Sequence, residues 1–561
     1  MQTTALKHVA YLADLCAKHE VLDIVLSPGS RNAPIIIAFE AHPQINTYLI
    51  HDERVAAFFA LGLAESKKRP VAIACTSGSA PLNYAPAISE AYYRSIPLLV
   101  LTADRPAHLI DQGDGQTIRQ YNVFANYIKQ SFQFPEIKIG DSIDLAKIEA
   151  KKVLEALINK PLGPIHLNLP FDEPLYKMED FLPEELIKLE LNQDTELTTV
   201  EKDQIKEIWE KSEKKMILVG QHQPDKELED LLGLLANDPS VAVLVENTSN
   251  VKNFAHIVHC IDRTLATITE EEIEKYSPDL LISLGGAIIS KRIKAFLRKN
   301  KPHSNIKVGR FLIEEDTYQS LTHTIKIDEK LFLNYLLGLE NVPTSNFGGK
   351  WKQKDFLSRE IHDQFISSVS YSDLAVFDFL LDAIPDDAHL HMANSSVVRY
   401  CQLFDPVKGT HYFSNRGVSG IDGSSSTAAG HAVAKNNLQV LISGDISFFY
   451  DSNAFWNKYV GSNLKVIVIS NGGGEIFNII PGPSSTTSHQ TFFAPTTANV
   501  EGICNAYDLN FIQANNLDEL ASKLPAFFTN FSDRPTVLEI RTNNSENAAV
   551  LADYFKVLGH S

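Results

Sequence analysis

Short, unbroken apolar runs, each closed by a small or polar residue, punctuate the chain. VAIACTSG, PLLVLTAD, VLISGD and KVIVISNGG are four of them. A strand that is apolar at every position must be covered on both faces, which is the condition of a strand inside a parallel sheet. Helical periodicity fills the intervals, as in Glu53–Ser66 and Asp144–Ile158. Alternation of the two periods defines an α/β chain.

The runs fall into three groups. The first predicts strands at Leu22–Leu26, Thr47–Ile50, Val71–Cys75, Pro97–Thr102 and Pro164–Leu169. The second predicts strands at Met216–Val219, Val241–Val245 and Leu280–Leu284, with a helix over Ser290–Arg298. The third predicts strands at His389–Ala393, Val440–Ser443, Lys465–Ser470 and Thr536–Arg541, and a small-residue helix over Ser424–Ala434. Two charged stretches without clear period, Met178–Lys202 and Asn341–Lys354, read as linkers. The expected architecture is three consecutive open, mainly parallel-sheet α/β domains, 1–178, 200–342 and 355–561. A length of 561 residues suits three domains of about 100–200 residues.

Composition narrows the function. With 51 Lys and Arg against 69 Asp and Glu, the net charge is −18. That argues against a nucleic-acid-binding surface. The five cysteines are an odd number with no CxxC spacing, as expected in a reducing compartment. The first residues carry charges at short intervals and lack the apolar core of a signal peptide. No apolar stretch reaches the ~20 residues of a membrane span. The expectation is a cytoplasmic enzyme with no stable membrane insertion.

Polar residues at the predicted strand ends suggest chemistry. Gly444-Asp445-Ile446 closes one apolar strand, and Asn471, followed by Gly472, Gly473 and Gly474, closes the next. If these strands are neighbours, a carboxylate, an amide oxygen and a freed backbone carbonyl face one crevice, a hard oxygen site that suits Mg²⁺ and a diphosphate. A strand-end Asp and a glycine turn are the plainer reading. Glu53 opens a helix in HDERVAAFFALGLA, where a favourable charge in the first turn would also explain it. SPGSRNAP offers Ser30 and Arg31 to an anion at another strand end. Arg105, Lys291, Arg292, Arg399 and Arg416 recur beside strand ends or turns. Each alone reads as a solvated surface charge. Together, in so acidic a chain, they point to a substrate with several carboxylates.

SPGSR, HDERVAAFFALGLA, TSGSA, TADRP, GQTIRQ, NSSVVR, SNRGVSGIDG and GD…NGGGEIF occur in one order along the chain. As a set they resemble the thiamine diphosphate-dependent 2-succinyl-5-enolpyruvyl-6-hydroxy-3-cyclohexene-1-carboxylate synthase family of menaquinone biosynthesis. The resemblance implies a pyrimidine-binding N-terminal domain, a central domain and a diphosphate-binding C-terminal domain. It implies a transferase that decarboxylates 2-oxoglutarate and adds the remaining fragment to isochorismate by 1,4-addition. It also implies self-association, as a homodimer or homotetramer, with active sites between subunits. Carried over by residue, Glu53, Arg31, Gln116, Arg399 and Arg416 would be catalytic. Glu53, Ser395, Ile421, Gly444, Asp445, Ile446, Asn471, Gly473 and Phe477 would bind the cofactor. Asp445, Asn471 and the Gly473 carbonyl would hold Mg²⁺, or Mn²⁺ in its place. Ser30, Arg31, Arg105, Gln116, Lys291, Arg292, Ser395, Arg399, Arg416 and Ile480 would surround the substrates. Another thiamine diphosphate-dependent 2-oxoacid decarboxylase or an acetolactate-synthase-like carboligase is the alternative, and a non-catalytic scaffold a weaker one.

Overall fold

The computed structural model describes residues 1–183, 188–192, 196–252, 256–339, 345–480, 482–530 and 532–559. Its first strands are β1 (Gln2–Thr4), β2 (Asp23–Leu26), β3 (Asn46–Leu49), β4 (Val71–Cys75), β5 (Leu98–Asp104), β6 (Gln130–Gln133), β7 (Ile165–Pro170) and β8 (Met178–Asp180). Six form a sheet in the order β3-β2-β4-β5-β7-β6, with every pair parallel. β2, β4, β5 and β7 are buried along their whole length. Helices cover the faces, so apolar side chains alternating up and down all enter a core.

The central strands are β9 (Lys215–Val219), β10 (Val241–Val245), β11 (Leu280–Leu284), β12 (Ser304–Val308) and β13 (His323–Ile325), in the parallel order β10-β9-β11-β12-β13. The last group comprises β14 (His389–Met392), β15 (His411–Phe413), β16 (Gln439–Gly444), β17 (Leu464–Ser470), β18 (Asn510–Ala514) and β19 (Thr536–Arg541), in the order β15-β14-β16-β17-β19-β18. This repeats the order of the first sheet strand for strand. By contacts the chain forms two compact units. One is Met1–Gln193 with Gly417–Asn436 and Tyr450–Leu464; the other is Asp194–Arg416 with Asn437–Phe449 and Lys465–Ser561. The central and last sheets belong mainly to the second.

Both expected linkers need correction. Met178–Asp180 is β8, paired antiparallel with β1, and a helix with a complete capping box on Thr198 and Glu201 begins at Thr199. Residues 184–187 and 193–195 of that stretch lie outside the described residues. In the second stretch, 341–344 lie outside them, and Phe347–Ile366 is one helix that crosses the boundary expected at 355. Its charged, glycine-bearing start misled the pattern. Gly348 is there because a Cβ would collide with the Val241 carbonyl, and Phe347 and Trp351 are buried. Of the strands not predicted, β6, β13, β15 and β18 are short sheet edges with a weak apolar signal, β1 and β8 form a separate pair, and β12 is interior but its run is broken by Asn305 and Lys307. Among the described residues no helix is long and apolar enough to cross a membrane.

Within the first unit, the helix Glu53–Lys67 packs along the helix Ser424–Ala434. The approach is close enough that a Cβ on Gly62 would meet the Thr427 carbonyl oxygen, and one on Gly430 the Phe59 carbonyl. Backbone cannot step aside as a side chain can, so the helices would have to separate. Gly62→Val should destabilise the protein by roughly 1–3 kcal/mol, read as a lowered urea midpoint.

Candidate active site

In the first sheet the chain turns left from β2 to β3 and then crosses to β4, so the order reverses between β2 and β4. The loops leaving such a reversal form the ligand crevice of an open α/β sheet. SPGSR leaves β2, TSGSA leaves β4 and Arg105 leaves β5. Arg31 is buried, and its Nη1 donates to the Phe171 carbonyl at 2.9 Å. Burial, with Arg105 beside it, holds the Arg31 pKa below the ordinary arginine value. Arg105 donates to the Gly115 carbonyl at 3.3 Å. Gln116 has a φ of 54°, and its carbonyl accepts from the Ser77 hydroxyl at 2.9 Å. Arg31 and Arg105 are thus gathered together, while Ser30 and the side chain of Gln116 are exposed beside them.

Glu53 is the first residue of its helix, capped by Asp52, which accepts from Val55 N at 3.2 Å. Asn83 donates to Glu53 Oε2 at 3.3 Å. Asn453 donates to the other oxygen of Asp52 at 2.8 Å, and Arg54 to the Tyr450 carbonyl at 2.6 Å, so the first turn is fixed on both sides. Glu90, fully buried, accepts from Gly417 N at 2.8 Å and Val418 N at 2.7 Å. That anchors the strand-free loop running to Ile421, whose apolar side chain is 37% exposed.

The second unit carries the other expected constellation. β16 and β17 are neighbours, so Asp445 and Asn471 stand at adjoining carboxyl ends. Asp445 is buried and accepts from Ile446 N at 2.7 Å and Gly472 N at 2.9 Å. The Asn471 amide nitrogen donates to Asp373 at 3.1 Å, which fixes the amide and leaves its oxygen to act as an acceptor. Glu475 is buried as well, with one carboxyl oxygen lacking a partner among the described residues. Burial pushes Asp445 up to about 6 and Glu475 up to about 8; Asp373 pushes both the same way, with Glu539 adding at Asp445 and Asp445 adding at Glu475. Asp445 and the Asn471 amide supply oxygen donors of the kind a divalent cation takes, and its charge would reverse those shifts; among the described residues no group of three His, Cys, Asp or Glu could hold one by side chains alone. Phe477 and Ile480 stand half-buried beyond the glycines, with Phe477 5.9 Å from the Phe492 ring.

The remaining expected residues lie around the carboxyl edges of β11 and β14. Lys291 and Arg292 begin the helix Lys291–Lys299 and are exposed, and Arg292 lies 4.1 Å over the Phe555 ring. Ser395 has a φ of 74° and caps the helix Ser396–Cys401, which carries Arg399. Arg416 is buried and donates to Asn394 at 2.5 Å. Arg399 lies in the field of the half-buried Asp262 and the buried Glu246, and Arg416 in that of Glu246. The sequence reading passed over these acids, together with Glu90 and Asp373. Glu246 could have been found, since it closes the apolar run VAVLV as Asp445 closes VLISG. Asp262 and Asp373 lie on helices, where an isolated acid carries no signal.

The fold is that of benzoylformate decarboxylase from Polynucleobacter necessarius, with a TM-score of 0.74 over 97% of this chain and 99% of that one at 17% identity. Residues 6–123 match the family described as thiamine pyrophosphate enzyme, N-terminal TPP binding domain. The matched family, with the relatives that follow, defines a thiamine diphosphate-dependent enzyme. Three relatives are each called 2-succinyl-5-enolpyruvyl-6-hydroxy-3-cyclohexene-1-carboxylate synthase. That of Flavobacterium johnsoniae is 39% identical over 98% of both chains. That of Porphyromonas gingivalis is 38% identical over 98% of this chain and 96% of its own. That of Bacteroides thetaiotaomicron is 35% identical over 98% and 99%. The chain belongs to this synthase family.

One buried acid sets a pH dependence. Asp451 accepts from the Ser426 N–H and hydroxyl, both at 2.7 Å, at the start of the helix Ser424–Ala434. Burial pushes it up to about 7 despite those bonds. A carboxyl raised above its unfolded value of about 4 adds stability below that pH and loses it as pH rises through the folded value. The urea midpoint of the wild type should therefore fall between pH 5 and pH 8 more steeply than that of Asp451→Asn.

Proposed function

We propose that the chain condenses 2-oxoglutarate with isochorismate, releasing CO₂ and forming 2-succinyl-5-enolpyruvyl-6-hydroxy-3-cyclohexene-1-carboxylate for menaquinone synthesis. The observation that carries the reading is likeness over 98% of both chains to a synthase of that name; Glu53, Asp445, Asn471 and several arginines near strand ends agree with it. Thiamine diphosphate, when bound, supplies the electron sink that decarboxylation and carbon–carbon bond formation require. Glu53 holds a proton toward N1′ of the aminopyrimidine. Asp445, Asn471 and the Gly473 carbonyl hold Mg²⁺, or Mn²⁺, against the diphosphate. Gly444, Ile446, Ser395, Ile421 and Phe477 line the cofactor, with Ile421 as its prop. Ser30, Arg31, Arg105, Gln116, Lys291, Arg292, Arg399 and Arg416 hold the carboxylates of the two substrates by charge-assisted hydrogen bonds. Phe477 and Ile480 exclude water on the apolar side. In this reading two or four copies associate, with each site completed between subunits. The protein works in the cytoplasm, with which its five free, buried cysteines agree.

Purified protein given thiamine diphosphate, Mg²⁺ and both substrates should consume isochorismate and release CO₂. Turnover of pyruvate that ignores isochorismate would replace this reading with that of a simpler decarboxylase or carboligase. Glu53→Gln should lower turnover by about a hundredfold or more while calorimetry still detects cofactor binding. Asp445→Ala should instead abolish Mg²⁺-dependent binding of thiamine diphosphate in the same calorimetric titration.

A further inference from the structure

The turn that follows β10, Glu246-Asn247-Thr248-Ser249-Asn250, touches three separate segments of the second unit. Glu246 is 1% exposed, and its two carboxyl oxygens accept from Ile289 N and Ser290 N, each at 2.7 Å. Those residues lead directly into Lys291 and Arg292. Asn247, also buried, donates from its amide to the Cys401 carbonyl at 2.7 Å. Cys401 ends the short helix that carries Arg399. Asn250 grips β15 as a strand would, accepting from Tyr412 N at 2.7 Å and donating to the Tyr412 carbonyl at 3.0 Å. β15 runs straight into Ser414, Asn415 and Arg416. The turn is itself fixed to β9, since Ser249 donates to the Val219 carbonyl at 2.6 Å.

The geometry points to this turn as the positioning element of the substrate-binding cations. Each of three side chains on one buried turn holds a different segment, and each segment presents cations assigned above to the substrate. The inference rests on that assignment. A staple that served stability alone would need no carboxylate here. Burying one is costly, and two apolar side chains would join the segments without that cost. The carboxylate instead lies in the field of Arg416, and Asp262, which accepts from the Ser290 hydroxyl, lies in that of Arg292 and Arg399. The guanidinium groups thus face fixed counter-charges. They remain in excess over them, which leaves net positive charge for a dicarboxylate. Glu246, Asn247 and Asn250 are buried and their side chains bond backbone groups of the three segments, so they are positioning residues.

The test is steady-state kinetics on the intact enzyme with 2-oxoglutarate varied, beside calorimetric titration of 2-oxoglutarate and of thiamine diphosphate. In Glu246→Gln the amide NH₂ must face one of two backbone N–H groups, which displaces the Lys291–Arg292 segment. The KM for 2-oxoglutarate should rise about tenfold, with kcat within about twofold and cofactor affinity unchanged. In an Arg292→Ala background the same change should add less than about twofold, because both act through one segment. Asn250→Ala, combined with Arg416→Ala, asks the same question on another arm if Glu246→Gln does not fold. An unmoved KM, effects that multiply in full with those of the arginine variants, or an equal loss of cofactor binding would overturn the inference. A wild-type enzyme that binds no 2-oxoglutarate would instead overturn the functional reading beneath it.

Discussion

Burial of both faces of the parallel sheets leaves their carboxyl edges as the place where polar side chains can collect without breaking a core. β4, β5 and β16 are buried almost to their last residue, and polar chemistry begins at once beyond them, at Thr76, Arg105 and Asp445. The first and last sheets share one strand order, so the same edge is built twice. One copy presents Glu53, Arg31 and Arg105, and the other Asp445 and Asn471. The scaffold is thus used twice with different strand-end residues, and the chemistry lies in those residues rather than in the strand order.

A second device recurs on that scaffold. Glu90, Glu246, Asp445 and Asp451 are buried carboxylates that accept backbone N–H groups. An ion out of water is costly unless its lone pairs are satisfied, and N–H donors on fixed loops satisfy them with little further ordering. The loop is held in return, because its orphan N–H groups find charged acceptors. Burial still outweighs these bonds at Glu246, Asp445 and Asp451, whose pKa values stand well above the usual carboxylate range. At Glu90, Glu246 and Asp445 the loop so held carries or adjoins a residue expected to meet cofactor or substrate, whereas Asp451 holds the first turn of a helix.

Much of this was legible in the amino-acid order, for uneven reasons. β4, β10, β11 and β19 have the predicted bounds, because a fully covered strand needs an unbroken apolar run and turn residues stop it sharply. The helices Asp144–Ile158 and Ser424–Ala434 also have theirs. The edge strands β6, β13, β15 and β18 escaped because they are short and carry no such run, whereas the edge strand β10 is buried throughout and was legible. The helix at Phe347 escaped because Gly348 looked like a linker residue when it in fact permits a close backbone approach. At the site, Asp445 and Asn471 were legible as strand-end residues followed by glycine. Glu90, Asp262 and Asp373 were not, since an acid on a helix reads as a solvated charge until its surroundings are known.

By itself the sequence determined the three α/β blocks, the strand ends where chemistry gathers and, through eight ordered motifs, the enzyme family. These are local properties: periodicity, a residue's place at the end of a run, and short spacing are all written along the chain. Only the tertiary structure decided that the first and last sheets share one strand order, that β16 and β17 adjoin, and that one turn after β10 holds three cation-bearing segments. Such facts join residues far apart in the chain through sheet order and desolvation, and neither quantity is carried by any short stretch of residues.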